Sequence, residues 1–198
     1  MKKIVTFAAA LALALSVAAC HRNNQSNQTP SVRPSTIVEP ETRVDAVPQE
    51  EPAVARNSWR AGNDQARVIT GNLRVSIEGV RGGPVVFAFA TGITVRAQPY
   101  AVAPAASRSG VGGQSFAAVM GGDPRVDANL YRVLEENVSP SAGRGLCGDH
   151  QARYMAVSEF VDGSGHWVFK IAAFGGNNPP GAGGDNPEFC NSYGYSAQ

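Results

Sequence analysis

Alternation of apolar and polar residues is the feature of this sequence that most limits its fold. In NLRVSIEGV, Leu73, Val75 and Ile77 share one face of an extended chain, and the intervening residues are polar. PVVFAFAT, ITVRAQ, ARYMAVSEF and HWVFKIAAF continue this pattern, whose period of two is that of a β-strand. Glycine-rich stretches between them are typical of turns. The pattern predicts an all-β fold, a small antiparallel barrel or sandwich of about six to eight short strands with at most one short helix.

Two segments of this region add detail. ARYMAVSEF and HWVFKIAAF are apolar on both faces and are joined by the turn VDGSGH, so they predict a central hairpin. DANLYRVLEEN, residues 127–137, fits either a short helix capped by Asp127 or a strand. The β-rich setting slightly favours the strand, but the sequence leaves the choice open.

The first twenty residues have the layout of an export signal. Two lysines precede an apolar run that is shorter than the roughly 20 residues of a membrane span. The run ends in VAAC, residues 17–20, which resembles the lipobox of bacterial lipoproteins. That resemblance, confined to residues 1–20, implies cleavage before Cys20, with a diacylglycerol on its sulfur and an acyl chain such as palmitate on its amine. An ordinary secretory signal that leaves Cys20 as a free thiol is the alternative.

The same resemblance implies a location. The chain would be lipid-anchored in the cell envelope, with the membrane as its first partner. An aspartate after the cysteine would resemble an inner-membrane retention signal, and His21 stands there instead. We therefore expect an outer-membrane lipoprotein that faces the periplasm.

The segment after the cysteine lacks the composition of a folded domain. It is rich in Asn, Gln, Ser, Glu and proline, and its five prolines interrupt any helix or strand. We assign residues 1–19 to a signal peptide, residues 20–64 to the lipidated cysteine and a disordered tether, and residues 65–198 to a single β domain. Trp59, near the end of the tether, is expected to dock on that domain and mark where order begins.

The remaining cysteines, Cys147 and Cys190, form an even pair in a domain that export would place in an oxidising compartment. We expect a disulfide that ties the loop before the central hairpin to the C-terminal strand. A nucleophile formed by Cys147 with His150, or a zinc site that adds His166 and Cys190, is the weaker alternative. No metal is expected, and no cofactor besides the lipid on Cys20.

The sequence carries no recognisable catalytic motif. It lacks a GxSxG elbow and a phosphate-binding glycine loop. Glu135 and Glu136 are adjacent, so their side chains diverge, and both are expected to be solvated. The formal net charge of +1 offers no basic face for nucleic acid.

These observations favour a non-enzymatic binding or accessory lipoprotein, whose partner would be an envelope protein or the cell wall. The candidate binding surface consists of Asn177 and Asn178 in a Gly/Pro-rich loop, with Tyr193 and Tyr195 on one face of the last strand. Core packing of the two tyrosines is an equal alternative. The oligomeric state is left open.

Three other functions are alternatives. A cell-envelope hydrolase would need His150 and His166 to converge with Asp149 and Asp162 in a cleft. An inhibitor of a lysozyme-type enzyme is suggested only by analogy, because several such inhibitors are lipid-anchored β domains with a disulfide. A purely structural envelope component is the third.

Overall fold

Eight antiparallel strands form one closed barrel in the computed structural model, which describes residues 56–181 and 186–197. Neighbours along the chain are neighbours in the barrel, and the first strand closes against the last. The strands are β1 (Ser58–Ala61), β2 (Leu73–Ile77), β3 (Val85–Phe89), β4 (Ile93–Ala103), β5 (Ala128–Val138), β6 (Tyr154–Val161), β7 (Trp167–Phe174) and β8 (Phe189–Ala197).

In the described residues, the helical elements are a π-helical turn, Ala66–Thr70, and one short helix, α1 (Phe116–Met120). The all-β prediction is therefore confirmed, with the barrel rather than the sandwich as the architecture. Within the described ranges, no helix is long and apolar enough to cross a membrane. The predicted signal peptide, Cys20 and most of the predicted tether lie outside the described residues.

The alternation of the sequence becomes the inside and outside of the barrel wall. Inward-facing aromatic side chains fill much of the interior, as expected for a barrel of about eight strands. The rings of Trp59 and Phe169 lie 4.9 Å apart, and Phe87 meets Tyr131 edge-on at 5.6 Å. All four side chains are almost completely buried.

A second apolar cluster lies outside the barrel, where α1 packs against β5, β6 and β7. Phe116 and Met120 of α1 contact a surface that includes Tyr154 and Phe174. The helix starts at Ser115, whose hydroxyl accepts a hydrogen bond from the backbone N–H of Ala118 at 3.2 Å. Because this cover buries the outer face of β6 and β7, the predicted central hairpin is confirmed.

The predicted start of the β domain at residue 65 is wrong. β1 pairs with both β2 and β8, so residues 58–64, assigned to the tether, belong to the barrel. Four residues with one buried side chain are too short to display a period of two, which is why the sequence did not reveal this strand. The predicted docking of Trp59 is confirmed, because its side chain is fully buried in the core.

Residues 128–137 of the ambiguous segment belong to strand β5, with Asp127 just before it, which answers the open question of the sequence. β5 pairs with β4 along almost its whole length, but two β-bulges leave Leu134 of β5 and Tyr100 of β4 without a cross-strand partner. A bulge exchanges the inner and outer faces of the residues that follow it. The apolar spacing resembles that of a helix because Leu130 packs in the outer cluster with α1, whereas Val133 packs against the barrel core.

The two ends of the barrel carry different connections. The disulfide end holds the connections β1–β2, β3–β4, β5–β6 and β7–β8. The N-terminal end holds the segment that leads from residue 56 into β1, the connections β2–β3, β4–β5 and β6–β7, and residue 197. The strands between them are the rigid frame on which both ends are built.

Candidate functional site

The β5–β6 loop is cross-linked at the disulfide end. Cys147 of this loop and Cys190 of β8 form the predicted disulfide, with their Cα atoms 4.9 Å apart across a sequence separation of 43 residues. Leu146, beside the disulfide, is buried in the barrel core. The loop therefore closes this end of the barrel.

The carboxylate of Glu136 holds the same loop against β5. Its Oε1 accepts a hydrogen bond from the backbone N–H of Leu146, and its Oε2 accepts one from Ala152, both at 2.7 Å. The Tyr193 hydroxyl donates to the Leu146 carbonyl at 2.6 Å. Two hydrogen bonds thus join the loop to β5 and a third joins it to β8, where β6 has not yet begun.

The prediction that Glu135 and Glu136 are both solvated is wrong for Glu136. The bulge at Leu134 pairs Glu136 with Val95, an inward-facing residue of β4, so Glu136 also turns inward. Glu135 stays exposed and accepts a hydrogen bond from the side-chain amide of Asn137 at 3.0 Å.

A groove of about 550 Å³ lies on the barrel wall between β5 and the start of β6. It arises because β5 continues to Val138, whereas its pairing with β6 covers residues 129–132 and ends with one hydrogen bond from the Val133 backbone N–H to the Arg153 carbonyl. Beyond that point the strands separate. Residues 132–137 form one wall, residues 151–154 form the other, and Asn177 of the β7–β8 connection completes the lining.

Two arginines supply the positive charge of this groove. Arg132 and Arg153 are exposed, and neither forms an ion pair within the described part of the chain. The Arg132 guanidinium lies 6.0 Å from the centroid of the Tyr154 ring. Guanidinium groups present planar pairs of N–H donors that match a carboxylate or a phosphate. The groove therefore offers donors that form no ion pair with a described residue.

Tyrosines border the same groove. The Tyr154 hydroxyl donates to the backbone carbonyl of Asn177 at 3.3 Å, and its ring meets Tyr100 edge-on at 6.2 Å. Tyr100, the bulge residue of β4, is 44% exposed. Burial and the nearby Tyr154 raise the pKa of Tyr100 to about 12, although Arg132 opposes the shift. Its hydroxyl is therefore a hydrogen-bond donor at neutral pH.

The predicted surface role of Tyr193 and Tyr195 is wrong. The two tyrosines share a face, as predicted, but that face is the interior, where they are 0% and 2% exposed. The Tyr195 hydroxyl lies 2.8 Å from the Thr70 hydroxyl, and the two form a buried hydrogen bond. Alternation shows which residues share a face but not which face is inside, since both faces of β8 carry small or aromatic residues.

The two predicted asparagines lie outside the core. Asn177 is exposed and lines the groove, where its backbone carbonyl accepts from Tyr154. Asn178 is also exposed, next to the groove residue. The β7–β8 connection thus borders the candidate site at one position.

The histidines and aspartates of the hydrolase hypothesis do not converge. Asp149 and His150 are exposed in the β5–β6 loop at the disulfide end. Asp162 and His166 lie in the β6–β7 turn at the N-terminal end, where the His166 backbone N–H donates to Asp162 at 3.0 Å. The whole length of β6 separates the two pairs.

The alternatives for the cysteine pair fail for a chemical reason. Both sulfurs are in the disulfide, so neither is a thiolate that could attack a substrate or bind zinc. Over residues 56–181 and 186–197, no group of three or more His, Cys, Asp or Glu side chains is placed to hold a metal ion.

Sequence reasoning missed the arginines of the groove. Arg132 and Arg153 each interrupt an otherwise apolar strand pattern, in NLYRVL and ARYMAV. Arg132 lies on the outer face of β5 and Arg153 immediately precedes β6, so an arginine within or beside an apolar strand pattern is a usable signal. It could not be combined into a site, because the separation of β5 from β6 is a property of the folded barrel.

Comparison with protein-family models, with curated proteins and with solved structures finds no match to this chain. Its function is therefore argued from the geometry of the groove.

Proposed function

We propose that this protein is a lipid-anchored lipoprotein of the bacterial cell envelope whose barrel is a non-enzymatic binding domain, with the β5–β6 groove as its binding site. The observation that carries the proposal is the pair Arg132 and Arg153, which face a tyrosine-bordered groove without an acidic partner among the described residues. The ligand group that this arrangement fits is a carboxylate or a phosphate on an envelope protein or on the cell wall.

The state of the other polar groups supports binding rather than proton transfer. Both oxygens of Glu136 accept backbone hydrogen bonds, and the Tyr154 hydroxyl donates to a backbone carbonyl. Glu135 accepts from Asn137. Arg132 and Arg153 form no ion pair with a described residue, whereas Glu136 and the Tyr154 hydroxyl are engaged in hydrogen bonds to the backbone.

The position of the groove supports access from the periplasm. The described chain enters β1 at the N-terminal end of the barrel, and the groove opens toward the disulfide end. A tether running from a lipidated Cys20 would therefore attach at the end of the barrel away from the groove. We include the outer membrane, facing the periplasm, in the proposal because of His21.

The test combines anchoring with retention of a partner. In cells, Cys20→Ser should abolish incorporation of labelled palmitate and move the protein from the membrane fraction to the soluble fraction. In pull-downs from crosslinked membranes, Arg132→Gln/Arg153→Gln should lose the partners that the unaltered protein retains. Arg60→Gln/Arg74→Gln removes the same charge from exposed positions of β1 and β2 and should retain them.

Each arm of this experiment can contradict one part of the proposal. Unchanged palmitate labelling in Cys20→Ser would overturn lipidation at that residue. Equal retention by the groove variant and the β1–β2 variant would overturn the groove as the binding site.

A further inference from the structure

A buried carboxyl group at the N-terminal end of the barrel has no hydrogen-bond partner among the described residues. Glu159 of β6 pairs with the inward-facing Phe169, and its neighbours at alternate positions, Met155 and Val157, also face inward. Both carboxyl oxygens are shielded from solvent and accept no hydrogen bond within the described chain. Such a group in an apolar setting destabilises the folded state unless it is protonated or gains a cation.

The segment that leads into β1 places a cation beside this group. The Arg56 guanidinium lies 4.9 Å from the centroid of the Trp167 ring, on the strand next to Glu159. The Arg56 carbonyl accepts a hydrogen bond from the Trp59 indole N–H at 3.1 Å, which fixes the backbone at this point. Arg56 is otherwise exposed and makes no ion pair with a described residue.

Burial raises the pKa of Glu159 from its ordinary value of 4.5 to about 7, and this value already includes the opposing effect of the Arg56 charge. On β7, the inward neighbours Trp167 and Phe169 do not titrate, and Lys170 lies on the outer face.

The two acidic groups nearest to Glu159 along β5 and β6 accept hydrogen bonds from other residues. The Asp127 carboxylate, just before β5, accepts from the backbone N–H of Ala105. Asp162 accepts from the backbone of the β6–β7 turn, including His166. Arg56 is therefore the cation that acts on Glu159.

We propose that Glu159 and Trp167 form a seat for the Arg56 guanidinium, and that this seat fastens the segment before β1 to the barrel when Glu159 is ionised and releases it when Glu159 is protonated. The ring of Trp167 holds the guanidinium by a cation–π contact in both states. Ionisation adds a carboxylate acceptor whose charge already interacts with the guanidinium. The segment before β1 is then held most firmly to the barrel above neutral pH and least firmly at acidic pH.

The test follows Glu159 and Arg56 separately by NMR in the full mature chain with its disulfide intact. Carbon-13 signals of the Glu159 carboxyl should titrate with a midpoint near 7. Arg56→Gln should raise that midpoint by roughly 1 unit, the lower end of the effect of a cation beside a carboxylate, and Arg56→Lys should restore most of it. The Nε–Hε signal of Arg56 should move with the same midpoint in the unaltered protein and should not titrate in Glu159→Gln.

Arg60→Gln is the matched control, because it removes one exposed guanidinium four positions along the chain. It should leave the Glu159 midpoint where it is. An identical midpoint in Arg56→Gln and the unaltered protein, or an Arg56 signal that stays flat through the Glu159 titration, would overturn the seat. These readouts do not depend on the groove or on any partner.

Discussion

Near the C-terminal end of β5, the Glu136 carboxylate accepts backbone hydrogen bonds for which β6 provides no acceptor. β6 begins at Tyr154, so the backbone N–H groups of Leu146 and Ala152 have no strand beside them and donate to this side chain instead. Hydrogen bonds to a charged acceptor contribute about 1.5–3 kcal/mol, more than neutral ones. One residue therefore fixes the loop that closes the barrel and borders the groove.

Glu136→Gln should lower the free energy of unfolding by about 1–3 kcal/mol, because the amide keeps one acceptor but turns an NH2 group toward a backbone N–H. Urea unfolding followed by circular dichroism measures this change. Glu135→Gln, at the exposed neighbouring position, should change stability by less than about 0.5 kcal/mol. Equal effects of the two substitutions would contradict the bridging role of Glu136.

For single residues, the sequence predicted the disulfide correctly but did not show which side chains lie at the surface. The pairing of Cys147 with Cys190 followed from parity and compartment, and it is confirmed. The placement of Tyr193 and Tyr195 on the surface was wrong because alternation does not say which face of a strand is inside. Glu136 faces inward because of the bulge at Leu134, and no residue near this position in the sequence predicts that bulge.

Among the elements, the β5–β6 connection governs the candidate site. The separation of β5 from β6 opens the groove, and the disulfide ties the loop beside it to β8. A cross-link that encloses 43 residues restricts the unfolded chain and stabilises the fold by ~4 kcal/mol in the chain-entropy estimate, less any strain. That is a large share of the roughly 5–15 kcal/mol typical of a domain.

Reduction of the disulfide, or Cys147→Ser/Cys190→Ser, should therefore lower the urea midpoint clearly, by up to the equivalent of ~4 kcal/mol. Unfolding curves with and without reductant measure the loss. Cys20→Ser removes the third cysteine of the sequence and should show the same response to reductant as the unaltered protein. Alkylation of two thiols in the intact, unreduced Cys20→Ser chain would contradict the cross-link.

The sequence predicted a strand wherever the alternation of apolar and polar residues extended over enough positions. The β6–β7 hairpin and the strand at Leu73–Ile77 were expected from five to nine residues of clear period. β1 was missed because it has four residues and one buried side chain, Trp59. β5 was ambiguous because both of its faces carry apolar residues and a bulge interrupts its pairing with β4.

On the scale of the whole molecule, the barrel separates two sites at opposite ends. The groove opens toward the disulfide end, whereas Glu159 and Trp167 meet the incoming chain at the N-terminal end. The strands between them are joined around a filled aromatic core, so the relative placement of the two ends is fixed. We therefore expect binding at the groove to be insensitive to release of the segment before β1.

The central claim is that the β5–β6 groove holds a partner, and crosslinking from within the groove tests it most directly. A photo-crosslinking amino acid placed at Gln151, an exposed groove residue, should give a discrete adduct in living cells, and Arg132→Gln/Arg153→Gln should remove that adduct. The same probe at Ser76, exposed on β2, is the control and should give none of it. The account is contradicted if position 151 yields no adduct, or if the adduct forms equally from position 76.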